Sequence, residues 1–417
     1  MRTSRIDLLR AKLYWLVIEK IKSINILYQL FTSVRAWKIK NAYCKTVHYY
    51  GKLQSQESHM NLLLARRLQR AKKPLDPKKK LQILYVGTDY LQDSSGILQA
   101  LSTLGKLTFF TREGGEYGQY LSRAIHHKYS PSSDSVPDLK KLNAERLLAI
   151  VDELSRNDKT PDIIIGQMWA GWLEGCALGE IRRKFGSIIV NICMDDRQSY
   201  WGGHKLRGTT GTYGLIPYID IAATSAPECV EWYLKEKCPA FFFPLASDPK
   251  IFHPMLDLPK KYDVSFVGGC YGIRKELVNH LIAGGIQVEA WGSGWSNGRL
   301  STEDVPRLFA QSKIILGVGT ISHCKDFYAL KMRDFDGPMS GTLYLTHDNP
   351  DLKRVYNVGE EIAVYSSFND CLQKIRYFLQ HDLKREKVAK AGLERAQKDH
   401  TWEKRFHHLI ETIRSCT

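Results

Sequence analysis

The sequence predicts an α/β protein: two Rossmann-like domains facing across a cleft, preceded by a basic helical extension. Three observations predict it. Short apolar runs alternate with amphipathic segments, the pattern of parallel sheets covered on both faces by helices. That alternation occurs twice, on either side of a stretch punctuated by Pro249, Pro254 and Pro259. The chain has 417 residues, more than one core ordinarily organises.

The elements follow in order. "LQILYVG" from Leu81 is an apolar strand, and "SSGILQALSTLG" spaces Ile97, Leu98, Leu101 and Leu104 as a helix does. "KLTFFT" is the next strand. The Ser-, Pro- and Lys-rich residues 128–142 read as a surface loop. "AERLLAIVDELSRN" is an amphipathic helix, while "PDIIIGQ", "SIIVNIC" and "IDIAATSA" are buried strands. "PECVEWYLKEK" places proline in the first turn of a helix. The second series runs "YDVSFVGG", "IRKELVNHLIAGG", "IQVEAWGSG", "EDVPRLFAQS" and "KIILGVG". "MSGTLYLT" predicts a glycine turn into a strand. "EEIAVYS" is another strand, and three helices close the chain. The predicted organisation is an extension over 1–79, a first domain over 80–246 and a linker over 247–261. A second domain spans 262–400, and a terminal helix over 401–417 crosses back to the first.

Charge is unevenly placed. The chain carries a net +16, yet residues 1–80 alone hold 19 Lys and Arg against 4 Asp and Glu. The body is therefore close to neutral. Within the extension, Leu13 to Phe31 is apolar but interrupted by Glu19, Lys20 and Lys22, which makes a poor membrane span. Two readings fit it: a helix lying on an anionic membrane surface, or an arm packed on the body or a second subunit. No nucleic-acid motif accompanies the bases, so no nucleic acid is expected. Nine scattered cysteines form no CxxC. Reduced thiols in a cytoplasmic protein follow, with no metal and no resident cofactor expected.

Open parallel sheets bind ligands at the carboxyl ends of their strands. There, Gly268 and Gly269 let backbone amides approach an anion, and Arg274 adds a fork of donors. In "KMRDFDGPMSG", Lys331 and Arg333 supply charge, and Asp336 is a carboxylate able to accept two ribose hydroxyls. "CMDDRQSYWGGH" puts Asp195 and Asp196 just beyond a buried strand with His204 nearby, the candidates for a general base. GxGxxG after the first strand, GxxxxGK[ST], GxSxG and HExxH are all missing.

The chain from about Tyr262 to Arg405 resembles the carboxyl-terminal domain of the group 1 glycosyltransferases of GT-B fold, and most closely their spore-maturation, CgeB-like branch. The resemblance rests on "SFVGG", Arg274 at a helix head, "GSGW", "RDFDGPMSG" and "HTWEKR" in that order. It implies transfer of a sugar from a nucleotide diphosphate sugar to an acceptor hydroxyl. Carried over, Asp336 takes the place of the ribose-binding glutamate. Arg274 and Arg333 resemble the diphosphate-side bases, and Gly341 resembles the glycine of the turn after the acidic residue; Gly337, next to Asp336, is a further donor-side candidate. Eight residues before Asp336, where many retaining relatives carry a second glutamate, stands Tyr328. A nucleotide-sugar isomerase or epimerase of the same architecture, or a degenerate nucleotide-sugar-binding protein, is the alternative.

Overall fold

The computed structural model describes residues 25–53, 60–69, 75–76, 79–87, 96–111, 117–118, 139–202 and 210–416. The first sheet contains β1 (Leu81–Gly87), β2 (Gly105–Thr111), β3 (Tyr117–Gly118), β4 (Ile163–Gly166), β5 (Ile188–Cys193), β6 (Ile221–Thr224) and β7 (Ala240–Phe242). Their order is β3-β2-β1-β4-β5-β6-β7. The second contains β8 (Tyr262–Val267), β9 (Val288–Trp291), β10 (Ser312–Leu316), β11 (Leu343–His347) and β12 (Ala363–Tyr365), in the order β12-β11-β10-β8-β9. Each pair of neighbouring strands is parallel. The central strands β4, β5, β6 and β11 are buried along their whole length, as continuously apolar runs between two helical layers must be.

Two chain crossings join the lobes. After β7 the chain enters the second lobe through Ser247, whose amide donates to the His400 carbonyl at 2.9 Å. The return lies alongside, where the Trp402 amide donates to the Ser247 carbonyl at 3.1 Å. Thr401 then caps the helix Trp402–Arg414 by accepting from the Lys404 amide. Trp402 and Phe406 on that helix are buried against Phe243 of the first lobe. Arg405 fixes the corner, donating to the carbonyls of Pro244 and Asp399.

The amino-terminal helix Asn25–Lys52 spans both lobes. At its carboxyl end, Tyr50 stacks between Trp201 and Trp232, and Thr46 accepts from the Trp201 indole at 2.8 Å. At its middle, Tyr43 lies against Trp232 on one lobe and Phe327 on the other. Ile39 joins a small core with Ile321, Cys324, Phe327 and Ala329 of the second lobe. The arm reading of the extension therefore describes this helix on the body of its own chain. Most of the apolar run Leu13 to Phe31 lies outside the described residues. No described helix is long and apolar enough to cross a membrane.

Candidate functional site

The segments that follow β5 and β6 face those that follow β10 and β11. Asp195, Ser225 and Ala226 line, with Ile321 and Ala329, a small cavity of about 10 Å³. On this edge the lobes are closed on each other.

In the second lobe, β8 is followed by Gly268, whose φ of +156° suits glycine. A methyl group there would lie 3.4 Å from both Arg274 Nη1 and Arg333 Nη2. One point at the strand end is thus approached by two guanidinium groups. Arg274 is buried, lies over the Tyr271 ring at 4.1 Å and donates to the Gly269 carbonyl at 3.1 Å. The Nε atoms of Arg274 and Arg333 are buried without a partner among the described residues. Neither arginine forms an ion pair among those residues. Burial first, and the neighbouring Arg333 second, pull the Arg274 pKa down to about 10. Lys331 completes the cluster. Burial is the largest influence on it and lowers its pKa; Asp195 of the opposite lobe opposes that shift, and Arg274 and Arg333 add to it. Uncompensated buried cations are costly unless an anion is supplied.

Asp334 holds this cluster in shape. Its Oδ2 accepts from the Lys331 amide and its Oδ1 from the Tyr344 hydroxyl, both at 2.6 Å. The first bond pins the chain entering the helix Arg333–Met339, and the second ties that helix to β11. Asp336, one turn into the helix, is also buried and accepts from Ser247 Oγ at 2.7 Å. Burial pushes its carboxyl up to about 8. Gly337 packs against the Tyr344 ring, where a methyl would come within 2.7 Å, and Gly341, at φ +71°, makes the turn into β11. Both glycines serve packing and backbone, and neither reaches the arginine cluster.

The carboxylates after β5 part company. Asp195 is half-buried at the cleft, with Oδ1 accepting from Gln198 Nε2 at 2.9 Å. Asp196 is buried beneath it. Thr212, Thr224 and Tyr233 donate hydroxyls to it at 2.7, 2.7 and 3.0 Å. The expectation that Asp196 serves as a base in the cleft is corrected by this enclosure: its oxygens are occupied, and burial raises its pKa to about 7. His204 lies outside the described residues.

Residues 274–411, about a third of the chain, match the glycosyl transferase-like family. The match lies within the second lobe. Both lobes together resemble solved structures. Sucrose-phosphate synthase from Thermosynechococcus elongatus is 13% identical, with 80% of this chain and 98% of that one covered and a TM-score of 0.54. HepE of Anabaena, in complex with UDP, is 8% identical over 80% and 99%, with a TM-score of 0.53. A glycosyltransferase from Rickettsia africae is 14% identical over 80% and 98%, with a TM-score of 0.52. At such identities these likenesses establish the two-lobed GT-B fold. No match is found among curated proteins.

The second lobe is clasped to the first by Arg197, the residue that follows Asp196. Arg197 donates to both oxygens of Glu228, at 2.6 and 2.8 Å, within its own lobe. It also donates across the cleft to Asp351 and to the Tyr328 carbonyl, the latter at 2.8 Å. Tyr43 of the amino-terminal helix donates to Glu228 at 2.8 Å. Asp351 lies just past β11 with its amide held by Asn349 Oδ1. A charged residue directly after a buried strand was the available signal; its partners, 31 and 154 residues away, had none.

Proposed function

We propose that this protein transfers a sugar from a nucleotide diphosphate sugar to an acceptor hydroxyl. The carrying observation is the convergence of Arg274 and Arg333 on Gly268 with no described carboxylate paired to either. A diphosphate supplies the charge that this cluster lacks. A nucleotide-sugar donor is supported by HepE, whose structures were obtained in complex with UDP and with UDP-glucose.

In this reading Arg274, Arg333 and Lys331 hold the diphosphate, with the Gly268–Gly269 backbone beneath it. As the bond from the sugar's anomeric carbon to the phosphate oxygen breaks, negative charge collects on the departing diphosphate. The fixed cations lower the energy of that charge without having to reorganise. The acceptor oxygen bonds to the anomeric carbon, and its proton passes to Asp195, the carboxylate at the cleft. Asp336 keeps Oδ2 without a described partner, and we assign that oxygen to the ribose hydroxyls. Lobe closure around the Arg197 clasp keeps water from the donor. We place the protein in the cytoplasm at an anionic membrane surface, on the charge of its first 80 residues.

The test mixes enzyme, UDP-glucose or another nucleotide sugar, and a hydroxyl acceptor. Transfer releases free nucleoside diphosphate in step with glycosylated product. Recovery of an isomerised nucleotide sugar, or of unchanged donor after tight binding, overturns the proposal. A donor that binds the native state also raises its melting temperature.

A further inference from the structure

The helix Asn25–Lys52 presents two stripes. Its inner residues Ala36, Ile39, Tyr43, Thr46 and Tyr50 pack on the lobes. Its outer face exposes Leu27, Leu30, Val34 and Trp37 at 43, 62, 43 and 63%. Their spacing of three and four residues puts them in one line along the helix. The same helix holds five Lys and Arg and no Asp or Glu. Arg35 and Lys38 flank the line and are exposed. Beside it opens a groove of about 670 Å³ against the helix Ile273–Ala283, with Lys275, Lys325 and Glu276 on its wall.

We infer that this outer stripe docks the protein on an anionic lipid surface. A tryptophan and three aliphatic side chains bordered by Arg35 and Lys38 suit the boundary between headgroups and acyl chains. Charge selects the occupant. A second copy of the helix brings its own Arg35 and Lys38 against the same two cations on a helix that carries no acid, which repels. Anionic headgroups bring the complement. The inference rests on the membrane placement proposed above and names the surface that makes it. The inner stripe is fastened to both lobes, so a docked helix sets the orientation of the cleft toward the bilayer. The acceptor class that fits is a hydroxyl carried at the membrane surface.

The experiment uses the full chain and sedimentation with phosphatidylcholine vesicles, with and without phosphatidylglycerol. The chain binds the anionic vesicles and not the neutral ones, and added salt weakens binding. The double variant Leu30→Glu/Trp37→Glu, which leaves the inner stripe intact, loses about tenfold or more in partitioning. Leu383→Glu, at an exposed leucine on a distant helix, retains binding. Both variants keep the wild-type melting temperature and turnover of a soluble acceptor. A double variant that binds as the wild type does overturns the stripe while leaving membrane association standing. Failure of the wild type to bind overturns both. Concentration-dependent dimers abolished by the double variant, without vesicle binding, assign the face to a second copy instead.

Discussion

Arg197, mostly covered, and Arg274, buried, are two arginines at opposite walls of one cleft, and they are treated in opposite ways. Arg197 is saturated by the carboxylates of Glu228 and Asp351, and hydrogen bonds to both raise its pKa above the ordinary arginine value against the effect of burial. Arg274 has a ring, a carbonyl and another arginine for company, and its pKa falls. A saturated cation contributes to the folded state of the empty protein. An unsaturated one costs stability that only an incoming anion recovers. The difference separates the groups that hold the lobes from the group that waits for a substrate.

The sharpest way to break this contrast is Arg197→Ala. It strands two carboxylates, one in each lobe, and removes a clasp. Denaturant unfolding should show a loss of about 3 kcal/mol or more. A loss below about 0.5 kcal/mol would place Arg197 among weak surface pairs. Next comes Arg333→Ala. Transfer activity should drop about a hundredfold in kcat/KM, the cost of one fixed donor to a developing anion. Its unfolding midpoint should hold or rise, because Arg274 loses a like-charged neighbour. Unchanged kinetics would remove Arg333 from the donor site.

A third, smaller effect concerns pH. Burial raises Asp196 from 3.8 to about 7 in the folded protein. Between those values the native carboxyl retains a proton that the unfolded chain has released, so rising pH lowers stability. Asp336, raised to about 8, acts in the same direction. Melting temperatures should therefore carry a downward slope from these two groups between about pH 4 and pH 7. Asp196→Asn should make that slope shallower; an identical slope would show that Asp196 titrates elsewhere. The smallest change is expected from Lys40→Ala, which removes the pair with Asp326 between the amino-terminal helix and the second lobe. Both side chains are well exposed, at 44 and 67%, so the cost should be about 0.5 kcal/mol or less by thermal unfolding.

The strands and most helices were legible because burial between two layers writes itself as apolar runs of fixed period. Arg274, Lys331 and Arg333 were legible as cations at strand ends, where an open sheet places its ligands. Asp195 and Asp196 show where legibility stops. The pattern locates both just after β5, but a single peptide unit sends one to the cleft and the other under it. Asp334 was missed for the same reason: it sits among the same cations, yet turns inward to Tyr344. The Arg197 clasp depends on residues from three separate segments, and only the folded chain brings them together. In the extension, net charge was visible, but not which face of the helix meets the protein.

The terminal helix Trp402–Arg414 belongs by sequence to the second lobe and by contact to the first, with Phe406, Leu409, Ile410 and Ile413 all buried. Cutting the protein within Ser247–Lys261 would consequently not yield two self-sufficient halves. The downstream fragment would carry an oily cylinder without a seat, and the upstream fragment an open socket of matching shape. Supplied together, the fragments should reassemble through that plug, a property suited to building a split reporter of sugar transfer.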